Sequence, residues 1–142
     1  LQKKFDTAKS LVPQPVLKKA KQATTLGAIY FGSTSPSMAE AIEVLEGENT
    51  HLDTLRLRAF PFPDSVAEFI AQHDTVFVVE QNRDSQMRSL LVNEFGINPA
   101  KLVPILHYDG TPITARFIVH AISTAVSATR SIHSHSDKVA TP

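Results

Sequence analysis

Thr75-Val76-Phe77-Val78-Val79, followed at once by Glu80-Gln81-Asn82-Arg83-Asp84, is the stretch whose reading decides the fold. The apolar run is too short for a helix and rich in β-branched residues, so it reads as a strand. A strand that is apolar at successive positions is covered on both faces, as in the middle of a parallel sheet. The polar residues after it lead into a helical pattern. Asp84 is placed to cap it, Met87, Leu90, Leu91 and Phe95 form its core face, and Gly96 closes it.

The same strand–helix alternation extends outward in both directions. Upstream, Leu26–Phe31 is a short apolar run ending at Gly32, and Ser35-Pro36 supplies an N-cap with a proline at the first helical position. Met38, Ala39, Ile42 and Leu45 follow at helical spacing, with Glu40, Glu43 and Glu46 on the opposite face and Gly47 at the end. Leu52–Leu57 carries charged Asp53 and Arg56 and reads as a less buried strand. Phe60-Pro61-Phe62-Pro63 is a rigid turn before Asp64 or Ser65 as N-cap. Ser65 and Glu68 are spaced for a capping box over a short helix carrying Val66, Phe69 and Ile70. Downstream, Leu102–Leu106 is a fourth strand in which Pro104 favours an edge position. Asp109-Gly110 turns the chain into a last helix from Thr114, with Phe117, Ile118, Ala121, Ile122, Ala125 and Val126 as its apolar stripe. Four such units with short connections predict an α/β, three-layer domain: a mostly parallel sheet of four to five strands with flanking helices.

The chain has 142 residues, 14 basic and 14 acidic side chains and no cysteine, which fits one domain or one domain plus a tail. Without cysteine there is no disulfide, zinc–thiolate site, thiol nucleophile or iron–sulfur cluster held by this chain's own thiolates. A pI near 7.2 argues against nucleic acid or an anionic membrane as partner. No apolar run approaches the roughly 18 residues of a membrane span, and the expected location is cytoplasmic. Residues 1–25 carry six lysines and one acid, and Pro13 and Pro15 block a continuous helix. They read as a linker or arm from a preceding domain, with a short helix around Lys3–Ser10, or as a solvated basic tail. The α/β domain is expected over residues 26–127 and a flexible tail over 128–142. A chain that starts at Leu1 rather than Met is expected to be a piece of a longer one.

Three polar loops fall at the carboxyl edge of such a sheet, where ligands of open α/β folds sit. Gly32-Ser33-Thr34-Ser35 runs into a helix N-terminus, where free N–H groups and hydroxyls suit a phosphate or carboxylate, or simply cap the helix. Neither phosphate-loop nor dinucleotide glycine fingerprint is present. Glu80–Asp84 is dense in long polar groups. Glu80, Asn82 and Arg83 are candidates for an interface or for binding a partner's carboxylate. His107-Tyr108-Asp109-Gly110 places a histidine beside an aspartate, either an acid–base pair or a structured turn. His133 and His135 are spaced to catch a stray divalent metal or to lie in a polar tail, and His120 is a boundary residue. No serine elbow or histidine–glutamate zinc motif occurs, so no catalytic or metal-binding residue is assigned.

Taken in order, Gly27-Ala-Ile-Tyr-Phe-Gly-Ser-Thr, the Phe60-Pro-Phe-Pro turn, Val78-Val-Glu-Gln-Asn-Arg-Asp with Gln86 and Leu90-Leu91, and Asp109-Gly-Thr-Pro-Ile-Thr resemble one family. It is the alpha subunit of 2-oxoacid:ferredoxin oxidoreductases, most like the 2-oxoglutarate type, and the resemblance falls on its transketolase C-terminal-like domain, from about Lys3 to Ile122. The resemblance implies a parent enzyme that oxidatively decarboxylates a 2-oxoacid to its acyl-CoA. It would use thiamine diphosphate, magnesium and an iron–sulfur cluster, with coenzyme A and ferredoxin as reactants. It implies a non-catalytic piece with no cofactor of its own, partnered by the preceding domain of the same alpha subunit and by the beta subunit. Ser33, Thr34, Ser35, Glu80, Asn82 and Arg83 are then candidate interface or anion-binding residues. The competing reading is an independent anion- or nucleotide-binding α/β module using Gly32–Ser35. Phe60 and Phe62 are expected to form a sticky patch where a partner is absent.

Overall fold

The structure is a computed structural model and describes residues 2–136. Its elements run α1 (Gln2–Leu11), β1 (Val16–Lys18), β2 (Leu26–Phe31), α2 (Ser35–Gly47), β3 (Asp53–Leu57), α3 (Asp64–Ala71), β4 (Thr75–Glu80), α4 (Gln86–Phe95), β5 (Leu102–Leu106) and α5 (Ala115–Ser136). The five strands are ordered β1-β3-β2-β4-β5, with only the β1–β3 pairing antiparallel. This is the expected three-layer α/β sheet. Pro104 sits on edge strand β5, where its missing N–H costs no ladder bond on the open side.

The continuous apolar runs have a simple cause. On β4, Phe77 and Val79 point to the layer formed by α2 and α5, while Val76 and Val78 point to the layer formed by α3 and α4. On β2, Ala28 and Tyr30 face the first layer and Ile29 the second. Period-two alternation is therefore hidden, because both faces are buried. The α5 stripe closes the first layer with Ile118 and Ile122 fully buried. Gly27 is required by packing: a Cβ there would meet the Phe69 ring at 3.0 Å and His73 Cγ at 3.1 Å.

Several helix starts differ from expectation. Ser35 is the first helical residue of α2 rather than its cap, and its hydroxyl donates to Gly32 O at 3.1 Å. At α3 no Ser65–Glu68 capping box forms; Pro63 is the N-cap residue and its carbonyl accepts from Val66 N–H. Asp84 does not cap α4, which starts after Ser85 in a left-handed conformation (φ 53°). Thr114 does cap α5, its hydroxyl accepting from Phe117 N–H at 3.2 Å. The α5 helix continues to Ser136, past Ser127 where its apolar stripe ends. No glycine or proline interrupts that stretch, and Ser127 and Thr129 hydroxyls bond back to the carbonyls of Ser123 and Ala125.

The lead segment is also more structured than an arm. Lys3–Ser10 lies within α1, and Val16–Lys18 adds a strand to the sheet, an element without periodicity enough to read from sequence. Its pairing covers the outer edge of β3. As a result, Asp53, Thr54, Leu55 and Leu57 are all buried, where a less buried strand was expected. Of the two turn phenylalanines, Phe62 is buried against Phe95 and only Phe60 is substantially exposed, so a two-ring patch does not exist.

Candidate functional site

The chain order puts β2's successor on one side of it and β4 on the other. The carboxyl ends of β2 and β4 are thus the point where the winding reverses, which opens a crevice in folds of this kind. A cleft of about 530 Å³ lies there, walled by Phe31–Thr34 from the end of β2, Gln81 and Asn82 from the end of β4, and Gln86, Met87 and Leu90 of α4. The sequence-derived candidates Ser33, Thr34 and Asn82 line it. Ser35, Glu80 and Arg83 do not.

Each departure has a local cause. Glu80, the last residue of the central strand, is fully buried. Its carboxylate accepts from Met87 N–H at 2.7 Å, Arg88 N–H at 2.9 Å and Asn82 Nδ2 at 2.8 Å. Those backbone donors are first-turn amides of α4, so Glu80 does the capping that Asp84 was expected to do, across a six-residue gap. Asn82 Oδ1 accepts from Gln86 N–H at 3.2 Å and completes that cap. Arg83 turns outward and pairs with its neighbour Asp84 at 2.8 Å, both side chains largely exposed.

The hydroxyl loop is held from below. Gln81, not singled out in the sequence, donates its side-chain amide to Ser33 Oγ and Thr34 Oγ1, each at 3.1 Å. Its signal was its position in the same polar run, but nothing in the spacing tied it to residues 48 and 47 positions earlier. The cleft is polar through hydroxyls and amides and apolar through Phe31, Met87 and Leu90, and no lysine, arginine or carboxylate lines it. It suits a neutral polar group or an apposed protein surface better than a multiply charged anion.

His107 and Asp109 come together, with Nε2 3.4 Å from Oδ1. Asp109's carboxyl is held below the usual carboxylate range mainly by the Thr111 hydroxyl and N–H, against some desolvation and with help from His107. That is a side-chain-bridged turn at Gly110 (φ 87°), with the His107 ring packed edge-on against Phe117. Neither residue lines the cleft. The side chains of His133 and His135 lie outside the described residues.

Among the described residues no three histidine, aspartate or glutamate side chains converge as a metal site. With no cysteine in the sequence, no thiolate of this chain can ligate an iron–sulfur cluster. No described helix is long and apolar enough to cross a membrane.

Fold and crevice together define a three-layer α/β domain of the doubly wound kind, with its cleft at the switch point between β2 and β4. Solved structures with this fold fall on the family that the sequence motifs resemble. The 2-oxoglutarate:ferredoxin oxidoreductase from Magnetococcus marinus, solved with 2-oxoglutarate, coenzyme A and succinyl-CoA bound, is similar over 84% of this chain and 21% of its own (22% identity, TM-score 0.73). The alpha chain of a probable 2-oxoacid ferredoxin oxidoreductase from Thermoplasma acidophilum is similar over 80% of this chain and 97% of its own (25% identity, TM-score 0.54). A split-gene transketolase, an inactive beta4 tetramer, is similar over 80% of this chain and 41% of its own (19% identity, TM-score 0.60). The chain therefore spans about a fifth of the Magnetococcus chain. No protein-family model matches it, and no curated protein does.

Proposed function

We propose that this chain is the transketolase C-terminal-like domain of the alpha subunit of a thiamine-diphosphate-dependent 2-oxoacid:ferredoxin oxidoreductase, most like the 2-oxoglutarate type. It serves there as a non-catalytic, cytoplasmic piece that packs beside the preceding alpha domain and the beta subunit. The observation that supports this most is the coincidence of two independent likenesses. The loop motifs resemble that family, and the fold is shared with an alpha chain over 97% of that chain's length.

The chemistry of the chain is consistent with a supporting role. Its densest polar loop is spent on architecture, with Glu80 buried under α4 and Gln81 pinning the hydroxyl turn. What remains presented outward is Arg83, with exposed Ser33 and half-buried Asn82 at the cleft, a surface suited to another domain. Thiamine diphosphate, magnesium and the cluster would be held by the partner parts, with ferredoxin and coenzyme A acting on the assembled enzyme.

The test is to tag this chain in its native cells and purify what it holds. The assembly is expected to contain a thiamine-binding domain and a beta subunit. It is also expected to reduce a viologen dye in the presence of coenzyme A, faster with 2-oxoglutarate than with pyruvate. Arg83→Ala is expected to loosen the assembly without unfolding the chain, because Arg83 bonds only to exposed Asp84 among the described residues. A chain that purifies with no thiamine-binding partner and supports no 2-oxoacid oxidation overturns the proposal.

A further inference from the structure

On the α2/α5 side of the sheet, the helices cover β2, β4 and β5 but leave the β3 and β1 strips beside them open. There β3 carries half-buried Arg56 above buried Thr54, and β1 carries exposed Val16 and Lys18. In register, Arg56 stands opposite both Val16 and Tyr30, and Thr54 opposite both Lys18 and Ala28. Between this strip and α2 runs a groove of about 420 Å³, which shares no lining residue with the β2–β4 cleft.

Arg56 is the anomaly in this groove. Its Nε is shut off from water and has no hydrogen-bond partner, and no carboxylate among the described residues pairs with it. Leaving a buried donor unpaired is costly, and more so when the group is charged. Two carboxylates of α2 line the groove with Arg56: Glu46 takes Lys21 at 2.6 Å, and exposed Glu43 acts electrostatically on Lys21, while Asp53 takes Lys19 at 2.7 Å. Lys18, exposed on the neighbouring strand, has no ion pair among the described residues either. Tyr30 completes the floor. Burial raises its phenol, with Arg56's charge and a Thr54 hydrogen bond partly opposing, so the group remains an O–H donor at neutral pH.

We propose that this groove is a binding site for an oxyanion group, a phosphate or carboxylate of a small ligand, with Arg56 as its anchor. A guanidinium presents a planar fork that matches such a group through two parallel N–H bonds. Lys18 adds a second positive charge from the solvent side, and Tyr30 and Thr54 add hydroxyls beneath. The groove volume lies within the usual range for small-ligand sites. The assignment does not rest on the oxidoreductase reading, since every group it uses belongs to this chain.

Its test is a titration of the 142-residue chain with inorganic phosphate and, separately, with acetate, each against chloride at equal ionic strength. Amide and arginine Nε–H resonances are the readout. Saturable shifts are expected at Tyr30, Thr54, Arg56 and the Arg56 side chain, in one arm or both; the arm that saturates identifies phosphate or carboxylate as the group held. Arg56→Gln is expected to weaken binding by roughly tenfold or more, as loss of a charge-assisted pair predicts. Lys18→Gln is expected to weaken it by about threefold, the order of an exposed pair. Saturation in neither arm, shifts confined to Gly32–Thr34 and Gln81–Asn82, or an unchanged affinity in Arg56→Gln overturns the assignment. Should Arg56→Gln fail to fold, exposed Lys18→Gln decides, and a folded chain with undiminished affinity overturns it equally.

Discussion

Asp53 occupies a strand position beside three buried leucines, Leu52, Leu55 and Leu57. It is tolerated there because donors meet it from several directions. Lys19 Nζ lies 2.7 Å from Oδ2, Ala20 N–H 2.8 Å from Oδ1, and His73 Nε2 3.1 Å from Oδ2. His73 Nδ1 lies 2.6 Å from Phe69 O, so each of its ring nitrogens has a partner. Desolvation pushes Asp53 upward, but the bonds from Lys19, Ala20 and His73 outweigh it and its carboxyl ends below its ordinary value. A carboxylate whose folded value is lowered stabilises the fold above its unfolded value, near ~3.9, and that contribution disappears as pH falls through the folded value. Asp53→Asn is therefore expected to cost about 1–3 kcal/mol at neutral pH. In urea unfolding at a series of pH values, the gap between the two proteins should narrow below about pH 4. A gap that stays constant from neutral to strongly acidic pH would contradict this. In the sequence Asp53 looked like a solvent-facing residue of an alternating strand. Its true partners come from positions 19, 20 and 73, and no local pattern connects them.

At the scale of elements, α4 shows why helix starts were the least legible feature. The periodic face of Leu90, Leu91 and Phe95 was readable, as was the Gly96 closure, where the glycine adopts φ 62° and its N–H bonds Val92 O. The N-terminal cap was not readable, because capping rules look one to three residues ahead. Here the acceptor is the end of the preceding strand, delivered through a loop that folds back on itself. Glu80→Ala is expected to leave Met87 and Arg88 N–H groups without acceptors in a dry setting and to cost roughly 2–4 kcal/mol. Hydrogen exchange should show the first turn of α4 opening before the rest of the helix. Equal protection along α4 in a folded Glu80→Ala chain would assign the cap elsewhere. The polar density of Glu80–Asp84 was thus a sound signal of something unusual, yet much of it proved to be the internal bracing of a strand–helix junction.

At the scale of the whole molecule, the lead segment matters most. Read alone, residues 1–25 are a basic stretch broken by prolines; folded, they supply the edge strand that seals β3 and, through Lys19 and Ala20, the donors that hold Asp53. Removing residues 1–21 is expected to lower the thermal midpoint and to expose a row of unpaired β3 backbone groups. Light scattering should then report self-association that the intact chain does not show at the same concentration. A truncated chain that stays monomeric and equally stable would mean β1 is dispensable.

The apolar runs of β2 and β4, the amphipathic faces of α2, α4 and α5, and the edge position of Pro104 were all determined by the sequence alone. Burial on two faces and helical periodicity leave marks within a dozen residues, so the layer order followed from them. The loop motifs likewise pointed to the family on which the structural likenesses fall. Only the tertiary structure decided which polar groups are spent and which are left over. Glu80 and Asp53 are consumed by backbone and side-chain donors and Gln81 by the Ser33–Thr34 turn, while Arg56 Nε is left without a hydrogen-bond partner. The reason is physical: hydrophobic burial depends on local periodicity, whereas a hydrogen bond or ion pair depends on which distant segments the completed sheet brings within about 3 Å.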